Sequence, residues 1–167
     1  MAVLPMTAGA SLGFSYEFGV DLNTGSVGTP VWSPIRRISA IAPKVTPVTA
    51  DAQTYDDLGA PNEEKTSESW SLEFSVQVNR LATTGDYATE VEALKAYTEP
   101  DAVGSASIAN VRWYDKPFTG PANDNEAYSG FATVSIERAN TGNSDIGTWK
   151  VTLTGKGKRT QISNPVV

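Results

Sequence analysis

The feature that most constrains this chain is an unbroken two-residue alternation from Glu68 to Arg80, ESWSLEFSVQVNR. Trp70, Leu72, Phe74, Val76 and Val78 fall on every second position, with Ser69, Ser71, Glu73, Ser75, Gln77 and Asn79 between them. Successive side chains of a pleated strand point to opposite faces, so the pattern predicts a long strand with one apolar and one small, polar face. Aromatic and branched residues suit a half-buried sheet. A helix would scatter the same apolar residues around its axis. Such a strand is stable only when another layer covers its apolar side. The functional question is what the polar side faces.

The same period recurs along the chain. Phe14, Tyr16, Phe18, Val20 and Leu22 alternate within an otherwise Gly-, Ala-, Ser- and Thr-rich N-terminal arm, residues 1–28, and predict one strand there. Residues 31–48 carry Trp32, Ile35, Ile38 and Ile41, with Pro34, Pro43 and Pro47 excluding a helix and a central ladder position. Strands are expected at Ile108–Asp115, Ala127–Arg138 and Thr148–Lys156, followed by a basic C-terminal arm, 157–167. One segment breaks the period. Tyr87, Val91, Leu94 and Thr98 share a face at helical spacing, and good helix formers lie between them. The expected helix covers 87–98, with Asp86 as N-cap and Pro100 as stop. The fold class is therefore mainly β, in a single domain with one flanking helix that covers a sheet face.

Between two strands that should pair as a hairpin lies a segment of different character, residues 50–66, ADAQTYDDLGAPNEEKT. Asp51, Asp56, Asp57, Glu63 and Glu64 accompany one Lys65, and the segment shows no apolar period. Hairpin loops usually need about two to five residues, so a loop spanning 49–67 is much longer than the turn requires. Tyr55 and Leu58 are apolar anchors inside it, and Lys156, Lys158 and Arg159 offer opposite charge late in the chain.

Composition removes several functions. The 167 residues include no cysteine and no histidine, which excludes disulfides, Ser-His-Asp and Cys-His catalysis and His-based metal sites. A net charge of -6 argues against a general electrostatic grip on nucleic acid. No run is long and apolar enough to span a membrane, and the N-terminus does not read as a signal peptide. The pairs Asp56–Asp57 and Glu63–Glu64 invite a two-carboxylate glycosidase reading, but catalytic carboxylates need rigid opposed strands, and solvated loop acids fit better. Asn123-Asp124-Asn125-Glu126 lacks calcium-loop spacing and reads as a turn. Trp32, Trp70 and Trp149 sit at apolar strand positions, where core packing is commoner than a sugar platform. Arg36–Arg37 and the basic arm invite a phosphate-contact reading, but against a net charge of -6 a salt-bridging partner surface fits better. No enzyme activity, metal or cofactor is expected.

The order of parts carries a resemblance. An arm, a Trp-marked strand, a long acidic hairpin loop, a Ser-Trp-Ser strand, one helix and further strands ending in Gly147-Thr148-Trp149-Lys150-Val151-Thr152-Leu153-Thr154-Gly155-Lys156-Gly157 resemble the major tail tube protein of long-tailed, non-contractile bacteriophages. The match runs through Tyr55–Val78, Tyr87–Tyr97 and Ile146–Asn164. The resemblance implies a β-sandwich or small barrel whose subunits form six-membered rings stacked into a hollow tube. It implies a structural virion protein of the tail, made in the host cytoplasm. Its partners would be itself and other tail proteins at the tube ends, with double-stranded DNA passing through without sequence-specific binding. On that reading Ser71, Glu73, Ser75, Gln77, Thr133, Ser135, Glu137, Thr152 and Thr154 line the lumen. Asp51, Tyr55, Asp56, Asp57, Leu58, Glu63 and Glu64, with Lys156, Lys158 and Arg159, make contacts between rings. Alternatives are the tube of a contractile tail or secretion system and, in other classes, a carbohydrate-binding β-sandwich or a small glycosidase.

Overall fold

The computed structural model describes residues 9, 10 and 12–166; the start of the expected N-terminal arm lies outside the described residues. Among the described residues seven strands form one antiparallel sheet: β1 (Phe18–Asn23), β2 (Trp32–Pro34), β3 (Ile38–Asp51), β4 (Glu63–Gln77), β5 (Ile108–Asp115), β6 (Ala127–Ala139) and β7 (Thr148–Gln161). Their order is β2-β1-β5-β6-β7-β4-β3. The outermost strands, β2 and β3, are joined directly through residues 35–37. Three residues reach only about 10 Å, whereas six strand spacings in a flat sheet would separate the edges by about 29 Å. The sheet must therefore roll until its edges approach. Backbone bonds fix the closure: Ile35 N–H donates to Val20 O at 2.9 Å and Gln77 N–H to Arg37 O at 3.2 Å. The result is a small barrel.

The inward faces follow the alternation. Trp70, Leu72, Phe74 and Val76 on β4 meet Val151 and Leu153 on β7, Ala132 on β6, Val111 and Trp113 on β5, and Val20 and Leu22 on β1. The one helix among the described residues, α1 (Thr89–Ala96), adds Val91 and Leu94 to this core. Asp86 is not its cap: Ala88 holds that position with no side-chain bond, and the helix stops at Ala96, before Pro100 acts. Glu92 instead reaches back to accept the Tyr87 N–H at 2.9 Å.

Three expected boundaries are corrected. The first strand begins at Phe18, because residues 14–17 form a turn closed by Glu17 N–H to Phe14 O at 3.0 Å. Strand β7 runs to Gln161, so the basic residues taken as an arm are largely in the sheet. The acidic segment is strand only at its two ends. Pairs Thr49↔Lys65, Ala50↔Glu64 and Asp51↔Glu63 continue the β3–β4 ladder, leaving only residues 52–62 as connection. Charged, aperiodic sequence marked the place where the core ends and not the place where pairing ends. Beyond Trp70 the hairpin has exposed residues on both strands and projects from the barrel as an arm. Pro43 and Pro47 are tolerated because β3 is an edge strand.

Candidate assembly surfaces

The first surface is the outward polar face of β3, β4, β7 and β6. Directly paired residues share a face, so the register defines its rows. Lys44, Ser71, Thr154 and Thr133 form one row; Ala42, Glu73, Thr152 and Ser135 the next; Ser39, Ser75, Lys150 and Glu137 the third. Gln77 lies opposite Thr148 at the end. All nine residues expected on a common polar face are thus contiguous. Lys150 was missed, although its place in the Thr148–Thr154 alternation put it there. Its ammonium lies 3.6 Å from Glu73 and 3.7 Å from Glu137, between the two carboxylates. At this exposure such pairs contribute little to stability, but they hold the cation inside a locally balanced patch. Lys156 continues the face one row further, opposite Phe131.

The second surface is the end of the hairpin arm. A 3-10 turn at Tyr55–Asp57 leads to Leu58 at φ 51° and Gly59 at φ 83°. Leu58 therefore occupies the left-handed region at some cost in strain. The tip organises itself. Asp57 accepts from Thr54 N–H at 2.6 Å, Thr54 Oγ1–H at 3.0 Å and Asn62 Nδ2–H at 3.2 Å. The Gln53 amide donates to Ala60 O at 3.0 Å. The Thr54 N–H, followed by its hydroxyl, holds the Asp57 carboxyl below the usual carboxylate range. While these polar groups turn inward, Tyr55 is fully exposed and Leu58 is 94 % exposed.

The basic residues expected to face this acidic tip are dispersed. Arg159 donates from Nε to Glu68 at 3.0 Å and lies 4.1 Å over the Tyr128 ring. Lys65 joins the same Glu68 carboxylate at 2.9 Å. Lys65 and then Arg159 keep Glu68 below its ordinary pKa. Arg159 is thus occupied within its own subunit, Lys156 belongs to the polar face, and Lys158 is exposed.

A third surface had only a partial signal in Arg36–Arg37. A groove of about 570 Å³ opens where the two sheet edges meet, lined in part by Tyr16, Arg36, Arg37, Tyr114, Lys116 and Phe118. The backbone at Glu17 positions one rim. Its carboxylate accepts the Phe118 and Phe14 N–H groups at 3.0 and 2.8 Å, which lowers its pKa. Phe14 stacks on Tyr16 with centroids 5.3 Å apart, yet Tyr16 and Phe118 remain 65 % and 81 % exposed. Behind the groove Asp21 is buried and already paired with Arg112 at 2.7 Å and the Tyr114 hydroxyl at 3.1 Å.

The other candidate chemistries lose their geometry. Trp70 and Trp113 pack together in the core at 4.8 Å, Tyr87 meets the edge of Trp149 at 5.6 Å, and Arg112 covers Trp32 at 4.6 Å. These rings do not form a sugar platform. Asn123 caps its own turn by accepting from Asn125 N–H at 3.0 Å. Among the described residues no cluster of three acidic or other metal-ligating side chains forms, and no helix is long and apolar enough to cross a membrane.

The rolled antiparallel sheet with one helix and a projecting β-hairpin is a fold shared with chains of solved tail structures. No family model matches the sequence, and no curated protein matches it significantly. Solved structures do. A chain from the tail of a gene transfer agent particle with C6 symmetry superposes with a TM-score of 0.66 at 12% identity, covering 91% of this chain and all of that one. A chain of the SPP1 tail tube gives 0.57 at 14% identity, over 92% of this chain and 80% of the other. A chain of the anti-feeding prophage baseplate gives 0.56 at 10% identity, over 90% and 97%.

Proposed function

We propose that this protein is the structural subunit of a phage-type tail tube, assembling as six-membered rings that stack around a DNA conduit. The observation that carries the reading is the hairpin arm. A two-stranded ribbon with solvent on both faces is marginal by itself, and exposed apolar side chains at a pre-shaped tip imply a surface to receive them. An edge strand as long as β3 likewise needs covering or pairing, and ring neighbours supply it. Head-to-tail contact between rings is heterologous and propagates.

Within the tube the rows from Lys44–Thr133 to Ser39–Glu137 face the bore, including Ser71, Glu73, Ser75, Gln77, Thr152, Thr154 and Ser135. Small hydroxyls and balanced charges release few counterions from DNA and so bind it weakly, which suits passage. The hairpin tip makes the contact to the next ring. Electron microscopy of the purified protein at rising concentration tests this: long hollow tubes are expected, and monodisperse monomers at all concentrations would overturn it. Replacing residues 51–65 by a short Gly-Ser turn should leave the barrel's β spectrum intact and abolish long tubes. The contractile-tail and secretion-tube alternatives share this assembly, whereas the glycosidase and sugar-binding readings predict monomers.

A further inference from the structure

We infer that the groove at Arg36, Arg37, Lys116 and Phe118 is the receptor for the hairpin tip, Tyr55–Leu58, of a second copy of this chain. The inference rests on the self-assembly proposed above and adds the surface that completes the contact, in place of the basic residues on β7.

Three observations converge. First, the chemistry is complementary. The tip presents Tyr55 and Leu58 with Asp56 beside them; the groove presents Tyr16 and Phe118 with Arg36, Arg37 and Lys116 on its rim. Among the described residues, none of these three cations makes an intramolecular ion pair, and neither does Asp56. The acids near the groove are already engaged: Asp21 by Arg112 and Tyr114, Glu17 by two backbone N–H groups. Second, Arg159, the residue that would otherwise answer the acidic arm, is held by Glu68.

Third, the geometry forbids self-docking. The groove lies at the start of β3 and the tip just past its end, and the strand between them has 14 residues. At about 3.3 Å per residue that separates the two by roughly 40 Å. Bonded along its length to β4, the arm cannot fold back to its own groove. A donor at one end of a subunit and an acceptor at the other is the arrangement that builds an open, polar polymer. Pre-organisation of the tip by Asp57, Thr54 and Asn62 limits the ordering cost of docking, and the charges set its register.

The absence of cysteine from the chain allows a direct test. Leu58→Cys is combined in turn with Phe118→Cys, Tyr16→Cys or Lys158→Cys, tubes are grown under reducing conditions, and the protein is then oxidised. A ladder of covalent oligomers from Leu58→Cys with Phe118→Cys or Tyr16→Cys, and not with Lys158→Cys, is the expected result. Tubes that cross-link only through position 158, or through none of the three, overturn the groove assignment while leaving tube assembly intact. Wild-type protein that never polymerises refutes the assembly reading itself. If the cysteine variants fail to assemble, the charge pair decides. Arg36→Glu and Asp56→Lys should each raise the concentration needed for tubes about tenfold, and the double variant should restore it. Failure of the double variant to recover assembly overturns the proposal.

Discussion

The Trp70 indole donates from Nε1 to the carbonyl of Gly157 at 3.0 Å, across 87 residues of sequence. Trp70 is the first buried residue on β4, so this bond marks the seam where the arm leaves the barrel. The ring reaches it by lying against Gly130 and Gly155, where an added Cβ would overlap the indole. Gly157 itself sits at φ 81°, a conformation open to glycine.

Gly155→Ala is therefore expected to destabilise the subunit by about 1–3 kcal/mol, through overpacking and not through backbone strain. The change should appear as a lower urea midpoint at an unchanged slope. An unchanged midpoint would mean that Trp70 moves aside freely.

Asp21 is expected to be the most costly single side chain to remove outside the apolar core. Its loss leaves Arg112 without a partner in a site where the arginine side chain is only 20% exposed. Asp21→Ala should cost about 3 kcal/mol, the low end for a broken buried pair. Burial, then the Asp21 charge, pushes the Tyr114 phenol up to about 12. A raised folded pKa gives a contribution that is complete below the unfolded value near 10 and lost as pH climbs through 12. Ultraviolet titration of the phenol should show its midpoint falling in Asp21→Ala.

Asp57 predicts the opposite limb of the pH curve. Its folded pKa lies below the usual value of 3.8, so its contribution to tip order is present above that value and disappears as pH falls through the lowered one. Protection of the Thr54 amide, its exchange rate relative to the intrinsic rate at the same pH, should fall on acidification below about pH 4, before the barrel strands open. Asp57→Ala should show the low protection already at neutral pH. Slow Thr54 exchange in that variant would exclude the capping role.

The polar face gives a functional prediction. Glu73→Lys with Glu137→Lys would surround Lys150 with two further cations. Tubes should still form, but they should retain DNA at low salt and release it as salt rises, and genome ejection should slow. Intact tubes with unchanged ejection would refute the placement of this face in the bore.

Alternation alone determined much of this protein. It placed Trp70, Leu72, Phe74 and Val76 inside and Ser71, Glu73, Ser75 and Gln77 outside, because the pleat leaves a side chain only two directions. The same rule located Ile108–Asp115 with its observed ends, and helical spacing exposed α1 through Val91 and Leu94. Periodicity reports where side chains meet a core, however, while backbone pairing needs no core. The outer part of the arm, where Thr49, Ala50 and Asp51 stay paired with Lys65, Glu64 and Glu63 in solvent, therefore carries the sequence signature of a loop. Juxtapositions across the fold were equally invisible. Arg159 meets Glu68 and Arg112 meets Asp21 only because strand register brings residues 91 apart into contact. The groove draws on residues 16–21, 34–38 and 114–118, three segments that come together only when the sheet rolls and its edges meet. Closure of the barrel, a global event, decided where the cations and the acidic tip would lie, at opposite ends of one strand.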